Sequence, residues 1–82
     1  MIPPASAALR HKLRAVQPLL QRTELPATLP SPCVAVCRMD DSQSYCLGCL
    51  RTLEELRDWG RSDASVQRSI WLRIAERAQA QP

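Results

Sequence analysis

All four cysteines of this chain fall within 17 residues, as Cys33, Cys37, Cys46 and Cys49 in the pattern C-x3-C-x8-C-x2-C. No other feature restricts the fold so strongly. A thiolate tetrad can hold one tetrahedral metal ion or coordinate an iron–sulfur cluster, because soft sulfur ligands match both centres. The chain has reason to need such a centre. It has 82 residues, with two Trp, one Tyr and no Phe, and at this size a hydrophobic core alone rarely contributes more than about 3–5 kcal/mol. A structural zinc ion contributes about 10–16 kcal/mol to the folding of comparable small domains.

Within the tetrad, Cys46-Leu47-Gly48-Cys49 reads as a metal-binding knuckle, in which Gly48 lets the backbone turn tightly so that both sulfurs face one centre. The three residues between Cys33 and Cys37 spread that pair more than a zinc knuckle requires, in a way that a larger cluster can use. Arg38 and Arg51 each flank a cysteine pair and would offset the charge of a thiolate centre. The wider first pair leans toward an iron–sulfur cluster, but charge does not choose between metals, so Zn²⁺ stays open beside it. Two disulfides, in any of three connectivities, are the structural alternative to a metal, disfavoured because no secretion signal opens the sequence.

Charge and proline divide the chain into three parts. Residues 1–23 carry Arg10, Lys12, Arg14 and Arg22 and no acid, whereas from Glu24 onward seven Arg face eight acids. Within that basic arm, Leu9, Leu13, Val16, Leu19 and Leu20 form a helical stripe from Ala5 to about Gln21, interrupted by Pro18. Either the helix docks on the rest of the chain, or it is a partner- or nucleic-acid-binding arm. Residues 24–32 hold Pro26, Pro30 and Pro32 and read as an extended, semi-rigid connector separating arm from head.

The head, residues 33–78, is expected to be a small α-rich metal-binding domain: a four-cysteine loop, then two short antiparallel helices at about 52–59 and 63–78. Thr52 and Glu55 form a capping box, Leu53, Leu56 and Trp59 share one face, and Gly60 stops the first helix. Ser62 or Asp63 caps the second, whose apolar face carries Val66, Ile70 and Ile74 with Trp71, Ala75 and Ala78 beside them. Both Trp are expected in the core. The strand-like run Cys33 to Cys37 is too short for a sheet.

Ser31-Pro32-Cys33, Cys37-Arg38-Met39-Asp40, Cys46-Leu47-Gly48-Cys49-Leu50-Arg51-Thr52, Glu55-Leu56 and Trp59 together resemble the domain of unknown function 1289 family. These are small bacterial proteins commonly labelled predicted iron–sulfur proteins. The resemblance runs from Ser31 to about Glu76. It implies that Cys33, Cys37, Cys46 and Cys49 are the ligands, supported by Arg51, Thr52 and Trp59. Where members often place Glu three residues after the Ser that opens the last helix, this chain has Ser65 after Ser62. Residues 1–30 lie outside the resemblance.

Catalysis finds little to use. His11 is the only histidine and sits in the arm, and no phosphate-cradling glycine loop or nucleophile–base pair occurs. Redox catalysis by Cys46 and Cys49 would need an exposed thiol beside a βαβ pattern that is missing. Asp40 and Asp41 read as a solvated turn. No apolar run is long enough to span a bilayer. The expectation is a cytoplasmic, non-enzymatic metal-binding accessory working through an unidentified protein partner, without a small-molecule substrate. A nucleic-acid role for Arg10, Lys12, Arg14 and Arg22 is the less favoured alternative, because the head is nearly neutral and no aromatics stand among those basic residues.

Overall fold

The longest apolar stripe of the N-terminal half forms a helix. Its start is fixed by Ser6, whose hydroxyl accepts from the Leu9 N–H at 3.1 Å, and α1 runs Ala7–Leu20. Pro18 stands inside the last turn, where only two helical residues follow it. Its missing N–H therefore costs one bond near an end that would fray anyway. Leu9, Val16 and Leu20 are buried and Leu13 and Leu19 are partly buried, so the predicted stripe is the face that packs.

The structure is a computed structural model and describes residues 2–34 and 38–79. Among these it is helix-rich and without strands. After α1 come α2, Leu53–Asp58, a 3₁₀ turn at Trp59–Arg61, and α3, Ala64–Gln79. The capping box that opens α2 is complete: Glu55 N–H donates to Thr52 Oγ1 at 3.2 Å, and Thr52 N–H donates to Glu55 Oε1 at 2.9 Å. Asp63 caps α3, its Oδ1 accepting from Val66 N–H at 3.0 Å.

Gly60 does not end α2 in the left-handed conformation expected of a helix-stopping glycine; no described glycine has positive φ. The chain tightens instead into the 3₁₀ turn, closed by Ser62, whose hydroxyl donates to the Asp58 carbonyl at 2.6 Å. The apolar face of α3 also differs from the expected one. Ala64, Gln67, Ile70, Trp71, Ile74 and Ala78 are buried, while Val66 is 46% exposed. Gln67 takes an interior place because the buried Leu29 N–H donates to its Oε1 at 2.7 Å; its Nε2 also donates to the Trp59 carbonyl at 3.2 Å, which accepts from Ser62 N–H as well. Unpaired buried backbone groups would each cost about 1–3 kcal/mol.

Those bonds show what the proline segment does. Instead of holding two parts at a distance, it is stitched into the core. Leu29 and Pro32 are buried, the Pro30 carbonyl accepts from Trp71 Nε1 at 2.9 Å, and Lys12 Nζ donates to the carbonyls of Ser31 and Cys33 at 3.2 and 2.5 Å. The main helix pair is α1 with α3. The six-residue α2, whose Leu53 is 42% exposed, meets α3 through polar side chains. The radius of gyration, 12.1 Å, is close to the roughly 11.7 Å of a compact chain of this length.

Candidate metal centre

The second cysteine pair sits in a loop whose geometry is set by its backbone. An isolated antiparallel bridge pairs Met39 with Cys46, with Asp40 N–H donating to the Tyr45 carbonyl at 2.9 Å and Leu47 N–H to the Arg38 carbonyl at 2.7 Å. Asp40 closes the turn between them. Its Oδ1 accepts from the N–H groups of Ser44 and Tyr45 at 2.8 and 3.2 Å, and its Oδ2 from Ser42 Oγ at 3.0 Å. Burial pushes the Asp40 carboxyl up, but the bonds from Tyr45, Ser44 and Ser42 together outweigh it and hold the group below its usual range.

The chain then reverses tightly. Leu50 N–H donates to the Cys46 carbonyl and Cys46 N–H to the Arg51 carbonyl, both at 2.8 Å. The residue that takes the left-handed conformation needed for this reversal is Leu50, with φ 61°, and not Gly48. A non-glycine residue there costs roughly 1–2 kcal/mol. The strain is offset because Leu50 is completely buried, which stabilises by about 1.5–3 kcal/mol.

Cys46 and Cys49 are 3% and 1% exposed, an environment that by itself disfavours thiolate. Burial pushes Cys46 up, but the N–H groups of Cys49, Gly48 and Arg38 and the Cys49 thiol all donate toward its sulfur, and the balance holds it below the ordinary thiol range. For Cys49 burial prevails and the thiol is raised, even though Arg51 Nε donates to its sulfur at 3.0 Å. Backbone N–H groups and one guanidinium thus converge on two buried sulfurs. Such a donor set suits sulfur that carries negative charge, the form in which it binds metal.

Arg51 is itself buried, at 5% exposure, and its guanidinium lies 5.5 Å from the centroid of the Trp59 ring. Trp59 is half-buried and packs against the edge of the core beside that arginine, whereas Trp71 is fully buried. Thr52 acts through its cap on α2. Arg38 is exposed and contributes through its backbone, with its N–H to Cys46 sulfur and its carbonyl to Leu47.

Two functional residues escape the sequence reading. Arg77, on α3, donates to the Leu50 carbonyl at 2.7 Å and to Glu55 Oε1 and Oε2 at 2.6 and 3.1 Å, and its guanidinium lies 5.3 Å from the Tyr45 ring. Glu55, read only as a cap, also accepts from Arg73 at 3.4 Å. Burial pushes Glu55 up, but Arg77, the Thr52 N–H and Arg73 outweigh it and hold its carboxyl below the usual range. Together they pin the cysteine loop to the last helix. The only advance signal is a Glu and an Arg within an otherwise alternating run of charges, which looks like any solvated face.

The remaining candidates are dispersed. Cys33 is half-buried on the segment tied to Lys12, and Cys37 lies outside the described residues. No disulfide joins Cys33, Cys46 and Cys49 to one another. Among the described residues no three His, Cys, Asp or Glu side chains gather as a metal-holding group. Of the four basic candidates in the arm, Arg10, Arg14 and Arg22 are exposed, while Lys12 is turned inward onto carbonyls. His11 is exposed on α1. No described helix is long and apolar enough to cross a membrane.

No curated protein and no solved structure matches this chain. One family does: residues 31–78, more than half of the sequence, match the family described as "Protein of unknown function (DUF1289)". The match begins at Ser31 and runs to Ala78 near the end of α3, taking in the cysteine loop, the capping box and the helix that pins them. The chain therefore belongs to the DUF1289 family.

Proposed function

We propose that this chain is a small metal-binding protein whose Cys33, Cys37, Cys46 and Cys49 hold an iron–sulfur cluster, and that it serves a partner protein as an electron-transfer or interaction accessory. The observation that carries this reading is the convergence of the N–H groups of Gly48, Cys49 and Arg38 on Cys46 sulfur, with Arg51 on Cys49. In this reading Cys46-Leu47-Gly48-Cys49 is the metal knuckle, and α2 and α3 are its antiparallel support.

A bound cluster would supply one-electron chemistry. The chain's own residues do the rest. The amides and Arg51 stabilise anionic sulfur, and Arg51 also offsets the net negative charge that four thiolates would bring. Leu50 and Trp59 keep water from the buried pair. Arg77 and Glu55 keep the loop in register with α3. Burial also argues against a redox dithiol, since an attacking sulfur must be reached by its substrate and Cys46 is 3% exposed.

Anaerobic purification of the full chain, with absorption spectra and analysis for iron, zinc and acid-labile sulfide, tests the reading. A brown protein containing iron and sulfide is expected. A colourless protein with one zinc per chain would replace the cluster by a structural zinc module with an adaptor role. A folded, metal-free protein would overturn both.

A further inference from the structure

The α1–α3 pair leaves a groove that the cysteine loop does not share. Its volume is 520 Å³, its floor is formed by Leu13, Leu72 and Ala75, and Arg10, Arg14 and Arg68 stand along it. Leu72 is 43% exposed. No acidic residue is among the described residues that line it. Arg68 is half-buried, and among the described residues its buried Nε has no hydrogen-bond acceptor. Leaving a buried guanidinium nitrogen without an acceptor is costly. Apolar floor and one-signed rim describe a surface shaped for something both apolar and acidic.

We infer that this groove binds an amphipathic acidic helix of a partner protein. The α1 wall runs from Arg10 to Leu20, about 15 Å at the helical rise, or nearly three turns. Arg10 and Arg14 are one turn apart, so carboxylates spaced i, i+4 on an incoming helix meet them in register. Ala75 is small enough to let a third helix approach the floor, and its apolar residues at i, i+3 and i+7 fill the space over Leu13 and Leu72. A carboxylate on the opposite flank pairs with the guanidinium of Arg68, which borders the groove. A second copy of this chain is a poor occupant, because its own groove would set arginine against arginine. Phosphates of a nucleic acid would reach the rim and leave the apolar floor wet. The inference stands apart from the metal reading, since no cysteine is among the described residues that line the groove.

The test is fluorescence anisotropy with the full chain as purified and three labelled 16-residue helical peptides. One carries a Leu stripe flanked by Glu, the second the same stripe flanked by Lys, and the third Ser in place of Leu with Glu retained. The first alone is expected to bind. Arg14→Glu, an exposed change expected to leave the circular dichroism spectrum unaltered, is expected to weaken it about tenfold, as is Leu72→Glu. The Lys-flanked peptide is expected to bind the Arg10→Glu/Arg14→Glu double variant better than it binds the parent chain. Equal binding of the Glu and Lys peptides, or indifference to Arg14→Glu, would overturn the inference. So would binding to phosphatidylglycerol vesicles through the same arginines with no binding to any peptide.

Discussion

The cysteine loop and the α1–α3 pair stabilise the same small molecule by different physics. The helix pair is held by apolar side chains, among them Leu9, Val16, Ile70, Trp71 and Ile74, in a face that would tolerate many exchanges of similar volume. The loop is held by directed bonds: N–H groups on sulfur, Arg51 on Cys49, and Arg77 on Leu50 and Glu55. Few of its residues are replaceable, because each removed partner leaves a buried polar atom or an unpaired charge behind. A chain with so few aromatics can carry a strained, polar loop only because a conventional apolar pair stands behind it, and α3 belongs to both.

The largest expected effect separates the two regions outright. If the four cysteines hold a metal as proposed, Cys46→Ser should lose it, and for a zinc site about 10 kcal/mol of folding free energy with it, seen as loss of a cooperative thermal transition together with loss of metal on elemental analysis. Retained metal in a folded Cys46→Ser protein would remove this cysteine from the ligand set. Next, Glu55→Gln should cost about 3–5 kcal/mol in denaturant unfolding, because Arg73 and Arg77 lose their anionic partner. The same change tests the acid limb. The Glu55 carboxyl lies below its ordinary value in the folded chain, so its contribution is present above the unfolded-state value and is lost as pH falls through the folded one. The parent chain should therefore lose stability over that acid range more steeply than Glu55→Gln does.

Leu9→Ala probes the other region. About 3 kcal/mol should be lost from a fully buried site, with metal content per folded chain unchanged; a fall in metal content would mean the regions are not separable. Leu50→Gly sets two terms of one residue against each other. It relieves roughly 1–2 kcal/mol of left-handed strain but forfeits about 3–4 kcal/mol of burial and packing, so a net loss of about 2 kcal/mol is expected. A gain in stability would show that backbone strain outweighs burial there. The smallest effect is favourable: Gly60→Ala, with nothing within 4 Å of the added methyl and no positive φ to oppose it, should stabilise by about 0.5 kcal/mol.

Much of the local structure was legible beforehand. Thr52 marks the start of α2, and the stripe from Leu9 to Leu20 marks the buried face of α1, because capping and helical periodicity act between residues a few positions apart; the Ser6 cap of α1 is visible only in the structure. Trp71 was rightly read as core, whereas Val66 and Trp59 were not distinguishable from it by spacing alone. The tight turn expected at Gly48 is instead made through Leu50, one of two left-handed residues of the loop with Gln43. Glycine is the usual occupant, but at Leu50 burial overrides local preference.

By itself, the sequence determined where the helices begin, that four cysteines cluster, that the family signature spans the cysteine loop and the last helix, and that the N-terminal segment is basic. Only the tertiary structure decided that this basic segment contributes half of the main helix pair, and that the proline stretch is hydrogen-bonded into the core by Gln67, Trp71 and Lys12. It likewise decided that Arg77 reaches back to Leu50 and Glu55. The physical reason is separation along the chain. Caps and stripes are written by near neighbours, whereas an arginine 27 residues from the carbonyl it satisfies is indistinguishable from a solvated one until the chain has folded.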